Sequence, residues 1–170
     1  MKVSALEIAL NNEMREREYY LNCAERTLNR LGKGMFSELA KEEEAHYKAL
    51  KLLWEKGWKE KGLPREIDLI VGKSNVRNVL MDFLRNMDLT QKTEEDDKEA
   101  IKRAMEFEEK GVLFYLQLSK EATTEEERAF FDLLSSMERE HLSSLKETLE
   151  YFEDPSSYFR MKEKPSLDGA

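Results

Sequence analysis

The sequence predicts an all-α fold: a four-helix bundle of two similar helical hairpins, with a long crossover between the second and third long helices. Three observations carry this. The chain repeats itself. His141 minus His46 is 95, Glu138 minus Glu43 is 95, and the same offset pairs Glu108 with Glu13, Tyr115 with Tyr20, Phe131 with Phe36, Leu134 with Leu39 and Leu145 with Leu50. Within each half, apolar residues recur at intervals of three and four, the period of a helix with one buried face. Finally, 38 % charged and 40 % hydrophobic residues, with only seven Gly and three Pro, describe long helices washed by solvent on one side.

At 170 residues the chain is one domain by length, with enough residues to bury a core. Residues 1–154 are read as the bundle and 155–170 as a C-terminal tail. A net charge of −8 argues against nucleic acid or an anionic membrane as a partner. Cys23 is the only cysteine, so no internal disulfide and no four-cysteine metal site can form; a small core thiol or a half-buried one is expected. Met1–Leu10 contains Lys2 and Glu7 and has no apolar leader pattern. No run reaches the roughly 18 apolar residues that a membrane span needs. A soluble, cytoplasmic protein in a reducing compartment is expected.

Ser4-Ala-Leu-Glu7 is a capping box, so the first helix should begin near Ala5 and run to about Leu28. Its inward stripe is Leu6, Leu10, Glu13, Tyr20 and Ala24. Asn29 to Gly34 offers turn residues for a reversal. The second helix should then run from about Met35 to Lys56, with Phe36, Leu39, Glu43, His46, Leu50 and Leu53 inward at 3, 4, 3, 4, 3. Glu42 and Glu44 lie off this seam and are expected to be solvated. Gly57 and Gly62-Leu-Pro64 end the helix. Residues 57 to about 92 form the connector, with an apolar patch at Ile67, Leu69, Ile70 and Val71. A short helix is expected there over Val76, Val79, Leu80, Phe83, Leu84 and Met87. A connector this long can return the chain to the other end of the bundle.

The third long helix should start after the acidic run Thr93–Asp97, which suits a helix N-terminus. Its stripe is Ile101, Ala104, Glu108, Val112, Tyr115 and Ser119. Thr124-Glu-Glu-Glu127 is a second capping box. The fourth helix carries Phe131, Leu134, Glu138, His141, Leu145, Thr148 and Phe152 inward, and Asp154-Pro155 stops it. The tail holds Tyr158, Phe159 and Leu167; docking on a neighbour and docking on its own bundle are both open. Trp54 and Trp58 are read as packing or interface aromatics, and the eight methionines as core filler.

Six polar residues fall on the inward faces: Glu13, Glu43, His46, Glu108, Glu138 and His141. A buried charge without a partner is heavily penalised. Four carboxylates carry four negative charges, and two divalent cations balance them; two neutral imidazoles complete the ligand set. Without metal, the glutamates should repel one another and take up protons. The alternative, histidines simply hydrogen-bonded to neighbouring glutamates, is less favoured because both histidines of the chain follow a glutamate by three residues and the two motifs repeat. Tyr20 and Tyr115 are read either as donors to a metal-bound carboxylate or as core residues with a hydrogen bond. Glu from two helices with Glu-x-x-His from two others is the constellation of ferritin-like di-iron and di-manganese carboxylate proteins.

The segments Ala5–Glu13 with Tyr19-Tyr20, Leu39–His46, Ala100–Glu108 with Phe114-Tyr115, and Glu138–His141 resemble the rubrerythrin-like branch of the ferritin-like superfamily over residues 4 to 152. The resemblance implies a ferritin-like bundle, a site for two iron ions (manganese and mixed centres use the same ligands) and peroxidase activity. Two departures matter. Rubrerythrins proper carry a rubredoxin domain with Cys-x-x-Cys pairs. With Cys23 alone, electrons would come from a separate donor such as a rubredoxin-type protein. Rubrerythrins also place a second glutamate three residues after the ligand of the third long helix, where this chain has Gly111. The family's redox-linked exchange of one iron between that glutamate and a histidine therefore lacks its carboxylate here. Glu16, three residues after Glu13, can serve the other metal by the symmetry of the repeat, or else is a solvated surface residue. The expected function is reduction of peroxide or oxygen by a dinuclear enzyme, expected to be a homodimer. The alternatives are a ferroxidase or iron-handling protein, and a non-catalytic dimerising bundle.

Overall fold

A computed structural model describes residues 5–56, 74–85 and 95–162. Ser4, Trp58, Gly62 to Pro64, the patch Ile67 to Val71, Met87, Thr93 and Leu167 lie outside the described residues, as do the side chains of Leu53, Trp54 and Phe159. Among the described residues six helices follow one another: α1 (Ala5–Arg26), α2 (Arg30–Lys56), α3 (Val76–Arg85), α4 (Glu95–Glu121), α5 (Glu125–Glu153) and α6 (Pro155–Lys162). No strand occurs among the described residues. None of their helices is long and apolar enough to cross a membrane.

The closest packing is of α1 on α2 and of α4 on α5, the two halves of the repeat. The hairpins meet through α1 with α4 and α2 with α5. Two apolar clusters lie at different levels. One holds Tyr20, Phe36, Leu39, Ile101, Ala104, Leu145 and Phe152. The other holds Ala9, Ala49, Leu50, Tyr115, Phe131, Leu134 and Met137. Along α1 and α5 the second cluster comes first; along α2 and α4 the first does. So α2 and α4 run in the same direction, and the chain between them must travel the length of the bundle. That is the one-crossover arrangement. The short helix α3 lies on this path and packs on α2 and α5, burying Val76 and Leu80.

The start of α2 differs from expectation. It begins at Arg30, and Gly32 and Gly34 are helical. Asn29 is the reason: its Oδ1 accepts from the backbone N–H of Leu31 at 2.9 Å and of Gly32 at 3.2 Å, a side-chain N-cap. The glycines serve close approach. A Cβ at Gly32 would lie 3.1 Å from Thr27 Oγ1, and one at Gly34 3.1 Å from Val79 Cγ1 of α3. Helix α1 accordingly ends at Arg26, two residues early. Helix α4 starts inside the acidic run, with Glu95, Asp96 and Asp97 in its first turn, where the helix dipole favours them.

The capping box of α5 forms in full. Thr124 Oγ1 accepts from Glu127 N–H at 3.1 Å, and Glu127 Oε2 accepts from Thr124 N–H at 3.3 Å. Replacing Thr124 by Ala is expected to cost about 1 kcal/mol, read as a lower urea midpoint with unchanged slope. Helix α5 ends before Asp154, which caps α6 by accepting from Ser157 N–H at 2.8 Å. Tyr158 of α6 is buried against Tyr151, with ring centroids 6.0 Å apart. This part of the tail docks on its own bundle.

Candidate metal centre

Between the two apolar clusters lies one polar level. All seven positions expected inward on α5 are buried, and the glutamate and histidine of that row fall at mid-helix. The same holds on α2, where Glu43 and His46 separate Leu39 from Leu50. Glu13 and Glu108 sit one helical step from Ala9 and Ala104 on α1 and α4. Glu13 is 1 % exposed, and Glu43, His46, Glu108, Glu138 and His141 are 0 % exposed. The structure thus brings all six together.

They form two overlapping groups whose candidate ligand atoms lie within 4.8 Å of one another: Glu13, Glu43, His46 and Glu138, and Glu43, Glu108, Glu138 and His141. Glu43 and Glu138 belong to both. His46 Nδ1 lies 3.0 Å from Glu43 Oε2, 3.1 Å from Glu13 Oε2 and 3.5 Å from Glu138 Oε1. His141 Nδ1 lies 3.3 Å from Glu43 Oε1 and 3.4 Å from both Glu108 Oε2 and Glu138 Oε2. The imidazoles stack 5.7 Å apart, 13° from parallel.

The donor set fits divalent cations. Glu43 Oε1, Glu108 Oε2, both oxygens of Glu138, and His141 Nδ1 are buried without a hydrogen-bond partner among the described residues. Buried acceptors are ordinarily satisfied. Here they converge on one another, an arrangement that a shared cation would satisfy. The electrostatics agree. Burial, then the charges of Glu43 and Glu108, push the carboxyls of Glu13 and Glu138 well above the ordinary 4.5. For Glu43, burial acts upward, but the two histidines prevail and its carboxyl is held far down. Burial alone would lower the His141 pKa; Glu108, Glu138 and Glu42 prevail and raise it well above 6.5. His46 is raised for the same reason, chiefly by Glu43 against burial. Acid groups that hold protons beside imidazoles that hold charge are what a cation would displace.

The tyrosines follow the repeat. Tyr20 O–H donates to Glu108 Oε1, and Tyr115 O–H donates to Glu13 Oε1, each crossing from one hairpin to the other. Replacing either Tyr by Phe leaves a buried carboxylate oxygen without its donor. A loss of about 1–3 kcal/mol is expected in the metal-free protein, measured by urea unfolding with both single variants.

Two acidic residues depart from the seam logic. Glu42, expected to be solvated, is 12 % exposed, and its Oε2 accepts from His141 Nε2–H at 2.7 Å. Its Oε1 accepts from the backbone N–H of Asn75, just before α3, at 2.6 Å. One position off the seam of α2 is the edge that faces α5, which only the packed bundle reveals. Glu44 does lie at the surface, paired with Lys48 at 2.8 Å. Glu16 stands outside both groups, half-buried; burial and the charges of Glu43, Glu13 and Glu108 raise its pKa. It lines a groove of about 630 Å3 between α1 and α4, together with Arg15, Tyr19, Lys110 and Gly111. A Cβ at Gly111 would lie 3.2 Å from Glu138 Cγ, so the floor of this groove is the backbone that covers the cluster.

A four-helix bundle with one crossover and a buried level of four carboxylates and two imidazoles defines a ferritin-like protein with a candidate dinuclear carboxylate site. The Rubrerythrin family profile matches residues 4–149, and the chain belongs to that family. Comparisons with curated proteins and with solved structures found no match.

Proposed function

We propose that the protein is a non-haem di-iron oxidoreductase that reduces hydrogen peroxide, or oxygen, to water. The observation that carries this reading is the pair of overlapping ligand groups sharing Glu43 and Glu138. Glu43 and Glu138 would serve both metal positions; Glu13 with His46, and Glu108 with His141, would complete the two sets. Two ferrous ions held there would supply one electron each and polarise both oxygens of an O–O bond. Reduction of one peroxide to two waters takes up those two electrons and two protons; reduction of one oxygen to two waters takes four of each, so two further electrons must come from a carrier. The Tyr20 and Tyr115 hydroxyls are O–H groups held against the ligand carboxylates, suited to stabilise their charge and pass protons. Surrounding apolar clusters keep bulk water from the carboxylates, and the groove beside Gly111 offers a small oxidant a short approach. The proposed source of electrons is a separate carrier such as a rubredoxin-type protein. The working form is a homodimer in the cytoplasm.

A ferroxidase or iron-handling role for the same residues is the second reading. Glu16 favours it: a half-buried carboxylate lining that groove can pass a cation inward. Anaerobic loading with Fe2+, then stopped-flow mixing with peroxide or with oxygen, separates the two. Fast stoichiometric oxidation by peroxide and slow reaction with oxygen is expected. Fast oxygen use with release of iron would favour the second reading. A protein that binds neither iron nor manganese at micromolar concentration would leave only a non-catalytic bundle.

A further inference from the structure

The internal repeat is symmetric at every proposed metal ligand but not around them. Position 42 matches position 137 by the offset of 95 that relates the two glutamate–histidine motifs (137 minus 42). The first half has glutamate there and the second has methionine. Glu42 on α2 reaches across to His141 on α5 and accepts its Nε2–H at 2.7 Å. A carboxylate only accepts, so this bond assigns the proton to Nε2 and leaves Nδ1 facing the cluster. Glu42 is itself held. Its other oxygen takes the Asn75 N–H, and Asn75 Nδ2 donates to Glu38 Oε1 at 3.3 Å. His46 has no such anchor: its Nε2 is buried without a hydrogen-bond partner among the described residues. Met137, the counterpart of Glu42, is buried in the apolar cluster that also holds Ala49 and Leu50 of the His46 helix. A thioether is at best a weak acceptor.

We propose that Glu42 is a positioning residue that makes the two metal positions unequal. By locking the His141 imidazole, it gives the position bounded by Glu43, Glu108, Glu138 and His141 the higher affinity for a divalent cation. The position bounded by Glu13, Glu43, His46 and Glu138 fills second and empties first. The same carboxylate ties the tighter position to the start of α3, so the crossover is fastened to the ligand that binds first. This rests on the metal-centre reading above.

The test is an anaerobic calorimetric titration of Fe2+ into the full chain and two variants, with helicity checked by circular dichroism. The unaltered protein should bind in two resolved steps. Glu42→Met, which copies the second half's residue into the first, should weaken the tighter step by about 10–100-fold and bring the steps together. Glu42→Gln keeps a carbonyl acceptor for His141 and should recover most of the separation. Two equal steps in the unaltered protein would overturn the proposal. So would a tighter step that ignores Glu42→Met, or a loss shared equally by both steps, which a merely structural role would give. If the unaltered protein takes up no Fe2+ at all, the metal-centre reading fails, and this inference with it.

Discussion

Glu43→Ala is expected to abolish tight metal binding at both positions while leaving the helices in place. Glu43 belongs to both ligand groups and lies near both imidazoles, 3.0 Å from His46 Nδ1 and 3.3 Å from His141 Nδ1. Losing it removes a charge from each position at once. Loss of a mere hydrogen-bonding partner around a metal costs roughly 10–100-fold in affinity, and loss of a shared ligand should exceed that at both sites. The fold should survive, because the apolar clusters above and below this level do not include Glu43. Metal analysis after dialysis, beside far-ultraviolet circular dichroism, checks both halves. His141→Ala should instead impair one position more than the other. Metal retained at full occupancy in Glu43→Ala would refute the assignment of Glu43 to both positions.

Stripped of metal, the protein should lose thermal stability as pH rises above the ordinary imidazole value of 6.5, and divalent cations should reverse that trend. Glu13, Glu138, His46 and His141 all have raised pKa values in the folded chain. Each favours folding fully below its ordinary value, 4.5 for the carboxyls and 6.5 for the imidazoles, and that contribution is lost as pH climbs through the raised value. Glu43 and Glu42 are lowered and act oppositely: their contributions are present above 4.5 and are lost on acidification. The metal-free protein should therefore be most stable in mildly acidic solution. Cations take the place of the protons, so their stabilisation grows as pH rises. At a free concentration 100 times the dissociation constant, each site adds about 2.7 kcal/mol. Two sites would raise the midpoint by roughly 10–20 °C for a chain of this size. Scanning calorimetry with and without Mn2+, from pH 5 to about pH 9, reads both effects. A metal-free midpoint that rises steadily across this range would contradict the account.

The buried level was legible because two local periodicities coincide with a long-range one. Helical spacing put Glu138 and His141 in the same row as Leu134 and Leu145, and all are buried. The 95-residue offset marked Glu13 and Glu108 as partners before any contact was known. Capping chemistry at Thr124 is equally local, and it forms as read. The glycines near the first turn were misread. Gly32 and Gly34 suggested a reversal, yet Asn29 starts the helix before them, and their missing side chains make room for Thr27 and Val79. A one-dimensional pattern does not distinguish a glycine that bends the backbone from one that admits a neighbour.

By itself, the sequence determined the class of fold, the two hairpins and the six residues of the polar level, because helix faces follow from spacing along one chain. Only the tertiary structure decided which edge of α2 meets α5, and so turned Glu42 from a surface acid into the partner of His141. It also decided that Tyr20 and Tyr115 each cross to the other hairpin's glutamate. Those pairings depend on how two separate hairpins are rotated against each other, and that angle is set by the packing of the apolar clusters rather than by any single stretch of residues.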